Sequence, residues 1–375
     1  MGKIFTALGL MSGTSGDGVD ASIISSDGND QYKEILNKYF RYDQKIYENL
    51  HNLRSKILKL EDLKKNENEI NHLEKEITLF HAKIINEILD LTCHKVDLIG
   101  FHGQTIYHNS SEKISKQIGD GHLLSQLTKK TVAYNFRQND IKNSGEGAPL
   151  TPLYHELITK QKKIKLPVCI LNIGGISNVT VIADYNKDIF LSRDLGPGNC
   201  LIDNWIRKNT KNKYDHNGEI AKKGKSDKLI LNQALDNFES RINEKIFSFD
   251  INDFSIGFVR GLNLEDGAAT LTDFTAEIIG TRLFNFLPSK KNKLWKVLIC
   301  GGGRKNKTLV EMIKIKTPKN LIIKPIDDYN IDGDFVESQA FAYLSIRSLL
   351  KLPISFPKTT GCKEPTIGGD IIKNF

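Results

Sequence analysis

The chain has no apolar run near the ~20 residues that a membrane-spanning helix requires. Its first residues, MGKIFTALGL, carry one lysine and then a strand-like segment, without the long apolar core and small-residue cleavage site of a secretory signal. The 375 residues are 39% hydrophobic and 26% charged, which is typical of a globular protein. We therefore expect a cytoplasmic protein without a membrane partner, built from two lobes because length favours two over one.

Cysteine is scarce, and its spacing excludes two common uses. There are five cysteines and no CxxC pair, so neither a disulfide framework nor a zinc ribbon is indicated. They are Cys93, Cys169, Cys200, Cys300 and Cys362. His102 and His108 have the wrong spacing for two ligands on one helical face, with no glutamate between them. Zinc is therefore not expected.

Three familiar catalytic or nucleotide-binding motifs are also missing. No GxxxxGK[ST] segment is present, which excludes a P-loop, and no GxGxxG segment opens a helix, which excludes the Rossmann fingerprint. The segment GTSGD misses the GxSxG elbow of serine hydrolases because its last glycine falls one residue late, at Gly18. A nucleotide, if bound, must be held by a different scheme.

The net charge of +8 does not indicate nucleic acid. Lysines alternate with glutamates on expected helix faces, as in KLEDLKKNENEINHLEKE, and no basic stripe with interleaved aromatic residues accompanies them. We expect a solvated surface and no nucleic-acid partner.

The glycine-rich turns are the most informative feature that is present. Strand-like runs end in such turns, and between them Ile46 to Leu91 has apolar residues at helical spacing, predicting two helices and an α/β fold. The segment GLMSGTSGDGVDAS predicts either a phosphate-binding loop or an ordinary polar β-hairpin turn. LNIGGISNVTVIA repeats the pattern about half the chain later, as a duplicated α/β lobe would, with ligands between the two lobes.

The segment SRDLGPGNCLIDNW places two carboxylates around a Gly-Pro-Gly turn that opens a helix. Asp194 would lie at the rim of this turn, exposed to a cleft, where a carboxylate can accept a proton from water or a hydroxyl. Asp203 would lie inside the helix start and orient a neighbour or bind a sugar hydroxyl. The alternative is an ordinary turn in which aspartate serves as a helix cap.

Taken together, eight segments resemble, in order, the anhydro-N-acetylmuramic acid kinases of bacterial cell-wall recycling. They are GLMSGTSGDGVD, GFHGQTIYH, FRQNDIKNSGEGAPLTP, LNIGGISNVT, RDLGPGNCLID, CGGGRKN, VESQAFAYLSIRSL and LPISFPKTTG. The resemblance implies a two-lobed actin-like ATPase (ribonuclease H-like) fold, with duplicated α/β lobes around a nucleotide cleft. We expect one lobe over residues 1–163, with the first phosphate hairpin and part of the sugar site. The second, over residues 164–375, would carry the second hairpin, the catalytic aspartate and the adenosine-side turn.

The resemblance also implies the reaction. ATP and one water would open the internal ether of 1,6-anhydro-N-acetylmuramic acid and give N-acetylmuramic acid 6-phosphate, with Mg²⁺ as cofactor and a homodimer as the assembly. Asp194 would be the general base that deprotonates the attacking water. Another sugar kinase of the superfamily, or a nucleotide-binding regulator without catalysis, are the alternatives.

The remaining site residues follow from the same motifs. The cofactor-binding set is Ser12, Gly13, Thr14, Ser15, Gly16, Asp17, Gly18, Val19, Asp20, Gly174, Gly175, Gly301, Gly302, Gly303 and Asn306. Within it, Asp17 and Asp20 are the candidates for holding the metal. The expected sugar-binding set is Gln104, Thr105, Arg137 and Glu337, with Arg137 suited to the lactyl carboxylate. The alternatives are that residues 301–303 form a strand-to-helix turn, that Glu337 is a helix-surface acid, and that His102 braces its turn.

Two positions depart from the family pattern. Gly16 stands where leucine is usual, and Asn135 stands where aspartate is usual. The first is expected to loosen the phosphate hairpin, because glycine adds backbone freedom. The second removes a charge near Arg137 and leaves open how that arginine is held.

Overall fold

A computed structural model describes residues 2–185, 190–241, 247–288 and 293–375. The chain divides into two compact units, one formed by Met1–Ile164 with Phe335–Phe375 and the other by Lys165–Asp334. Within the described ranges, no helix combines the length and the hydrophobicity needed to cross a membrane.

The first unit consists of one β-sheet and the helices that pack against it. Its strands are β1 (Phe5–Ser12), β2 (Gly18–Ser26), β3 (Tyr32–Arg41), β4 (Leu98–Asn109), β5 (Ile114–Ile118), β6 (Thr131–Tyr134) and, from the end of the chain, β12 (Asp370–Ile372). Its helices are α1 (Gln44–Lys56), α2 (Leu60–Lys65), α3 (Glu67–Asp90), α4 (Gly121–Thr128), α5 (Gln138–Lys142), α6 (Pro152–Gln161), α12 (Val336–Leu349) and α13 (Pro357–Thr360). The region expected to hold two helices therefore holds three, α1 to α3.

The second unit has the same kind of organisation. Its strands are β7 (Val168–Ile173), β8 (Ile176–Ile182), β9 (Phe190–Pro197), β10 (Trp295–Cys300) and β11 (Leu321–Pro325). Its α-helices are α7 (Cys200–Asn209), α8 (Glu219–Lys223), α9 (Lys228–Arg241), α10 (Leu264–Phe286) and α11 (Lys307–Lys316). The predicted helix after the Gly-Pro-Gly turn is α7, and Asp203 lies in its first turn, as expected.

Five strands of the first sheet have the same order as the five strands of the second, β6-β4-β1-β2-β3 and β11-β10-β7-β8-β9, which confirms the predicted duplication. The first sheet runs β12-β6-β4-β1-β2-β3, with β5 on β4, and the second runs β11-β10-β7-β8-β9. In each unit three antiparallel strands come first. A later strand, β4 or β10, then pairs in parallel with the first of them, and β6 or β11 pairs in parallel with that strand. The first sheet also has β5 and β12, which are antiparallel to their neighbours. Both glycine-rich turns thus join the first two strands of a sheet. The expected α/β fold class is confirmed.

Helix α12 lies unusually close to the first sheet. Gly9 of β1 is paired with Gly100 of β4 and with Ser22 of β2, so three small residues lie side by side. A Cβ atom on Gly9 would lie 2.0 Å from the Ser338 carbonyl oxygen, and one on Gly100 would lie 2.3 Å from that of Phe341. The strip of small residues therefore lets the backbone of α12 touch the sheet.

The C-terminal segment belongs to the first unit, which corrects the expected lobe over residues 164–375. Besides the packing of α12 and the pairing of β12 with β6, hydrogen bonds attach it there, and three of them join it to residues 140–146. The Thr360 hydroxyl donates to the Asp140 carboxylate at 2.6 Å, the Glu146 N–H to the Thr360 carbonyl at 2.9 Å, and the Lys363 N–H to the Asn143 carbonyl at 3.0 Å. The first boundary, between residues 164 and 165, lies one residue from the expected one.

Four histidines of the first unit are buried in their neutral form, and this predicts acid sensitivity. Burial lowers the pKa of His81 to about 4 and of His102, His108 and His155 to about 3. The pKa in the unfolded chain is about 6.5, so below that pH the unfolded state binds the extra protons. Stability is therefore full above pH 6.5 and falls as the pH drops toward the folded values. At pH 5 we expect a loss of about 2 kcal/mol for each histidine.

Urea unfolding at pH 7.5 and pH 5.0 tests this effect. His155→Gln should lose about 2 kcal/mol less than wild type between the two pH values. His72, whose side chain is 68% exposed, provides the control variant His72→Gln. An acid loss in His155→Gln equal to that in wild type would disprove the burial argument.

Candidate active site

The first hairpin turn, residues 13–17, is held from beneath by polar side chains. The Ser12 hydroxyl lies 3.0 Å from the Gly18 carbonyl oxygen and within hydrogen-bonding distance of the Gln104 side-chain oxygen. The Tyr42 hydroxyl donates to the Ser12 hydroxyl at 3.0 Å, and the Gln104 amide donates to the Gly13 carbonyl at 3.1 Å. Gln104 is fully buried, so it fixes the predicted phosphate loop as well as lying on the predicted sugar strand.

Glycine at position 16 suits the turn that the structure contains. Gly16 has φ +61°, which favours glycine, and its N–H donates to the Gly13 carbonyl at 3.1 Å. A Cβ atom there would lie 2.7 Å from Cδ2 of Leu50 on α1. Residue 16 is therefore packed against α1 in this chain, without room for a side chain.

The two candidate metal-binding aspartates lie at the same hairpin and are both half-buried. The Ser15 hydroxyl donates to the Asp17 carboxylate, and the Tyr39 hydroxyl donates to the Asp17 carbonyl at 3.0 Å. Burial, then the charges of Asp17 and Asp20, raise the pKa of Tyr39. Within the described part of the chain, no group of three or more His, Cys, Asp or Glu side chains could hold a metal ion. The two carboxylates of Asp17 and Asp20 fit Mg²⁺, which takes one or two carboxylates together with phosphate oxygens.

Arg137 is held by His102. Its Nε and Nη2 atoms lie 3.2 and 3.0 Å from Nε2 of His102, and His102 Nδ1 lies 2.9 Å from the Gly103 carbonyl oxygen. Because a guanidinium can only donate, Nε2 accepts and Nδ1 carries the proton. Burial and the Arg137 charge lower the pKa of His102 to about 3, which keeps this ring neutral. His102 therefore braces its own turn and also orients the predicted carboxylate-binding arginine.

Asn135 and the other sugar candidates have defined places in the first unit. Asn135 adopts φ +55° and donates to the Asp370 carboxylate at 3.0 Å, a contact outside the Arg137 pair. Thr105 follows Gln104 on β4, and its hydroxyl accepts from the Gln117 amide at 3.1 Å. Glu337 is half-buried in the first turn of α12. Sugar binding by these residues stays a prediction.

The second hairpin and the Gly-Pro-Gly turn are packed together in the second unit. The Gly198 N–H donates to the Gly175 carbonyl, and the Asn199 N–H donates to the Gly174 carbonyl, both at 2.8 Å. A Cβ atom on Gly198 would lie 2.3 Å from the Gly174 carbonyl oxygen. Glycine at position 198 is thus explained by its direct backbone contact with the second hairpin.

Asp194 lies in strand β9, where it pairs with Asn178 of β8. The expected exposure of Asp194 is wrong: it is 5% exposed, because it lies within the sheet. Its carboxylate accepts the Phe249 N–H at 2.8 Å, and its own N–H donates to the Phe247 carbonyl at 2.8 Å. Burial and the Arg193 charge lower the pKa of Arg282 to about 10, and the Asp194 charge acts in the opposite direction. The helix-cap alternative is wrong for Asp194, since the residue that precedes α7 is Asn199.

The adenosine-side candidates differ from one another in their surroundings. Gly301 has φ +77°, and a Cβ atom on it would lie 2.3 Å from Oδ1 of Asn172, while one on Gly303 would lie 2.2 Å from Ile173. Asn306 caps α11 by accepting the Leu309 N–H at 3.0 Å. Gly302 alone of the three glycines has no atom within 4 Å of its Cβ position. Residues 301–303 therefore do form a turn between strand β10 and helix α11. At Gly302 an added methyl group would meet no described protein atom, so a substitution there can probe for a bound ligand.

Gly302→Ala is accordingly a specific test of nucleotide binding. The added methyl meets no protein atom, so we expect unchanged thermal stability. If adenosine lies against this turn, the KM for ATP should rise about 10-fold, which corresponds to ~1.4 kcal/mol of crowding. Steady-state kinetics with varied ATP measures it. An unchanged KM would remove Gly302 from the nucleotide site.

Three supporting residues were missed from the sequence. Tyr42 and Arg54 contact the first hairpin. Arg304 lies in the Gly301 turn and forms ion pairs with Asp327 at 2.8 Å and Asp334 at 2.5 Å. These carboxylates raise the pKa of Arg304, while burial opposes them. Arg54 was detectable, because it follows Leu50 by four residues on the apolar face of α1.

Comparisons with known proteins agree on one family. The family model described as anhydro-N-acetylmuramic acid kinase matches residues 5–374. A curated protein of that name from Pelagibacter ubique is 57% identical over 375 residues, covering 100% of both chains. Another from Zymomonas mobilis is 38% identical, covering 97% of this chain and 99% of that one.

Among solved structures, the chain is similar to component A of (R)-2-hydroxyglutaryl-CoA dehydratase from Acidaminococcus fermentans. The TM-score is 0.42 at 12% identity, with 91% of this chain and 99% of that chain covered. For a hexokinase from Schistosoma mansoni the TM-score is 0.40 at 11% identity, with 91% and 85% covered.

Proposed function

Since the chain belongs to the anhydro-N-acetylmuramic acid kinase family, we propose that this kinase couples phosphorylation of 1,6-anhydro-N-acetylmuramic acid to hydrolysis of its internal ether. The product would be N-acetylmuramic acid 6-phosphate, and the role would be cytoplasmic recycling of cell-wall fragments. ATP supplies the phosphoryl group.

The observation that supports this reaction most is the place of Asp194. A simple sugar kinase needs a base only for a substrate hydroxyl, whereas hydrolysis also needs one for water. Asp194 lies on the strand that pairs with β8, and the turn after it is bonded to the Gly174–Gly175 turn of the second hairpin. The backbone N–H of Phe249 fixes its carboxylate. A fixed carboxylate beside a phosphate-binding turn suits a base that works next to phosphoryl transfer.

The proposed step balances as follows. Asp194 accepts a proton from water as the water oxygen bonds to the anomeric carbon. The bond between that carbon and the six-position oxygen breaks, and this oxygen bonds to the γ-phosphorus as the bond to ADP breaks. The leaving oxygen therefore needs no separate protein acid. Positioning and charge neutralisation supply most of the remaining rate.

The first hairpin, with Asp17 and Asp20, would hold nucleotide phosphates, and the second hairpin is the other proposed phosphate-binding turn. Mg²⁺, when bound, neutralises charge on the phosphates, and Asp17 and Asp20 would hold it, with Asp17 already oriented by Ser15. The turn of residues 13–17 is fixed from beneath by Ser12 and Gln104. Phosphate therefore meets a loop that is ordered before it binds, which lowers the entropic cost of binding.

The sugar would be held in the first unit. Arg137 suits the lactyl carboxylate, and neutral His102 fixes its orientation from behind. Gln104 and Thr105, on the same strand, and Glu337 at the start of α12 are the other proposed contacts. The homodimer remains a prediction.

Product analysis distinguishes the proposed function from its two alternatives. Purified protein with ATP and Mg²⁺ is offered 1,6-anhydro-N-acetylmuramic acid and, separately, N-acetylglucosamine and glucose. We expect one ADP for each molecule of N-acetylmuramic acid 6-phosphate, and no turnover of the other sugars. Phosphorylation of an ordinary sugar would indicate another sugar kinase, and ATP binding without turnover would indicate a regulator.

A further inference from the structure

Arg54 is a cation on the apolar face of α1. Leu50, Leu53 and Ile57 are buried on this face, and Arg54 is buried with them at 7% exposure. Burying a guanidinium is costly unless its N–H groups are hydrogen-bonded. A buried arginine therefore needs specific hydrogen-bond acceptors, and the acceptors of Arg54 indicate its role.

Two acceptors of the Arg54 side chain are backbone carbonyls from separate segments. Its Nη1 donates to the Thr14 carbonyl at 2.6 Å, while its Nε and Nη2 donate to the Thr105 carbonyl at 3.1 and 2.5 Å. The planar fork of a guanidinium can hold both at once, and an ammonium cannot reproduce that geometry. One side chain thus spans the two segments.

These segments are the ones that the proposed function assigns to different substrates. Thr14 lies in the phosphate loop, and Thr105 lies on the sugar strand β4. The β1–β4 ladder shifts register between Leu10 and Ser12 and has Ser12–Gln104 as its last pair. Beyond this pair, Arg54 is a direct link between the loop and the strand.

The Arg54 contact also orients a donor of the loop. In a planar trans peptide, the carbonyl and the following N–H point in opposite directions. Because the Thr14 carbonyl faces Arg54, the Ser15 N–H faces away from α1. His51 lies 3.0 Å from the Ser15 carbonyl oxygen, which further fixes the loop on α1. A phosphate oxygen is a suitable acceptor for this N–H.

We propose that Arg54 is a positioning residue, which sets the phosphate loop relative to the sugar strand so that the γ-phosphoryl group and the six-position oxygen align. The proposal rests on the proposed function, since it needs both substrates. An error of about 1 Å in such alignment can cost about 100-fold in rate. Without Arg54, the loop would still be bonded to this strand through Gln104 and Gly13, but its Thr14 end would no longer be fixed. We expect such a loop to pass phosphate to water as well, so that ATP is hydrolysed without sugar phosphate.

Arg347 provides a matched control in the same unit. It is 6% exposed on α12, and it donates to the Pro353 carbonyl at 2.8 Å and the Gly28 carbonyl at 2.7 Å. It therefore has the same burial and the same kind of acceptors, with no contact to a predicted substrate segment. A purely structural arginine should behave like this one.

The test compares Arg54→Lys and Arg347→Lys in the full chain, with rates expressed per folded protein. For Arg54→Lys we expect kcat to fall at least 10-fold and the ratio of ADP to sugar phosphate to rise well above one. For Arg347→Lys we expect a lower unfolding midpoint with kcat and this ratio unchanged. If Arg54→Lys does not fold, Arg54→Gln, which keeps an amide donor, replaces it.

Two results would overturn the proposal or separate it from the proposed function. Arg54→Lys with wild-type kcat and a ratio of one would show that Arg54 is only structural. If wild type makes no sugar phosphate, the proposed function fails. The role of Arg54 in positioning the loop is then tested by the affinity for a non-hydrolysable ATP analogue. A weaker affinity in Arg54→Lys, with Arg347→Lys unchanged, still supports loop positioning, and equal affinities contradict it.

Discussion

We expect Asp194→Asn to lower kcat about 10²- to 10⁴-fold, the usual contribution of a positioned general base. Asparagine keeps an oxygen that can accept the Phe249 N–H, so β9 and the following turn should stay in place. It cannot take a proton from water at neutral pH. The KM values for sugar and ATP should change little, because the loss is confined to the transition state. Steady-state kinetics with both substrates measures this.

Asp273→Asn is the matched control for the Asp194 variant. Asp273, on α10, is also a buried carboxylate of the second unit. It pairs with Lys228 at 2.6 Å and with Lys316 at 3.1 Å. Its loss should reduce stability and leave kcat per folded protein unchanged. If Asp194→Asn retained more than a tenth of wild-type kcat, another residue would have to activate the water.

Gly9→Ala is expected to destabilise the first unit by about 3 kcal/mol, the upper end of the range for overpacking. The new methyl would lie 2.0 Å from the Ser338 carbonyl oxygen and 2.3 Å from the Ala342 nitrogen. Both are backbone atoms of α12, so no side-chain rotation relieves the contact. Urea unfolding followed by circular dichroism measures the loss.

Gly2→Ala serves as the control for this packing argument. A Cβ atom on Gly2 would meet only Cβ of Asp27, at 3.7 Å, which is ordinary contact. Its unfolding midpoint should match wild type. Equal midpoints for Gly9→Ala and wild type would mean that α12 is not packed on the small-residue strip.

Local patterns in the sequence were enough to predict both hairpins and α7. Glycine-rich turns between apolar runs have few other structures open to them, so β1–β2 and β7–β8 were expected where they occur. Strand β3 was not expected, because its segment YKEILNKYFR mixes lysine and glutamate with apolar residues. As an edge strand it is partly exposed, so its pattern is weak.

Non-local contacts were the part that the sequence could not supply. The return of residues 335–375 to the first unit depends on Gly9 and Gly100 meeting α12 across more than 200 residues of chain. The strand location of Asp194 depends on its pairing with Asn178. In both cases a single-sequence pattern fixes the residue type and leaves its partner open.

In the candidate site, too, the sequence predicted residues but not their non-local contacts. Motifs identified Gln104 and Arg137 as functional candidates, and the structure adds that Gln104 supports the first hairpin turn and that His102 holds Arg137. The role of Arg54 was missed because its acceptors are backbone carbonyls, which carry no sequence signal. A residue such as Arg54 can be noticed in the sequence as a cation on an apolar helix face, but its contacts are known only from the structure.

The measurement that tests the coupled reaction most directly uses oxygen-18 water. Wild type and Asp194→Asn are each incubated with 1,6-anhydro-N-acetylmuramic acid, ATP and Mg²⁺, and the products are analysed by mass spectrometry. We predict label at the anomeric hydroxyl of a six-phosphorylated sugar from wild type, and loss of this product in the variant. A six-phosphorylated product without label, or no product from wild type, would contradict water attack at the anomeric carbon.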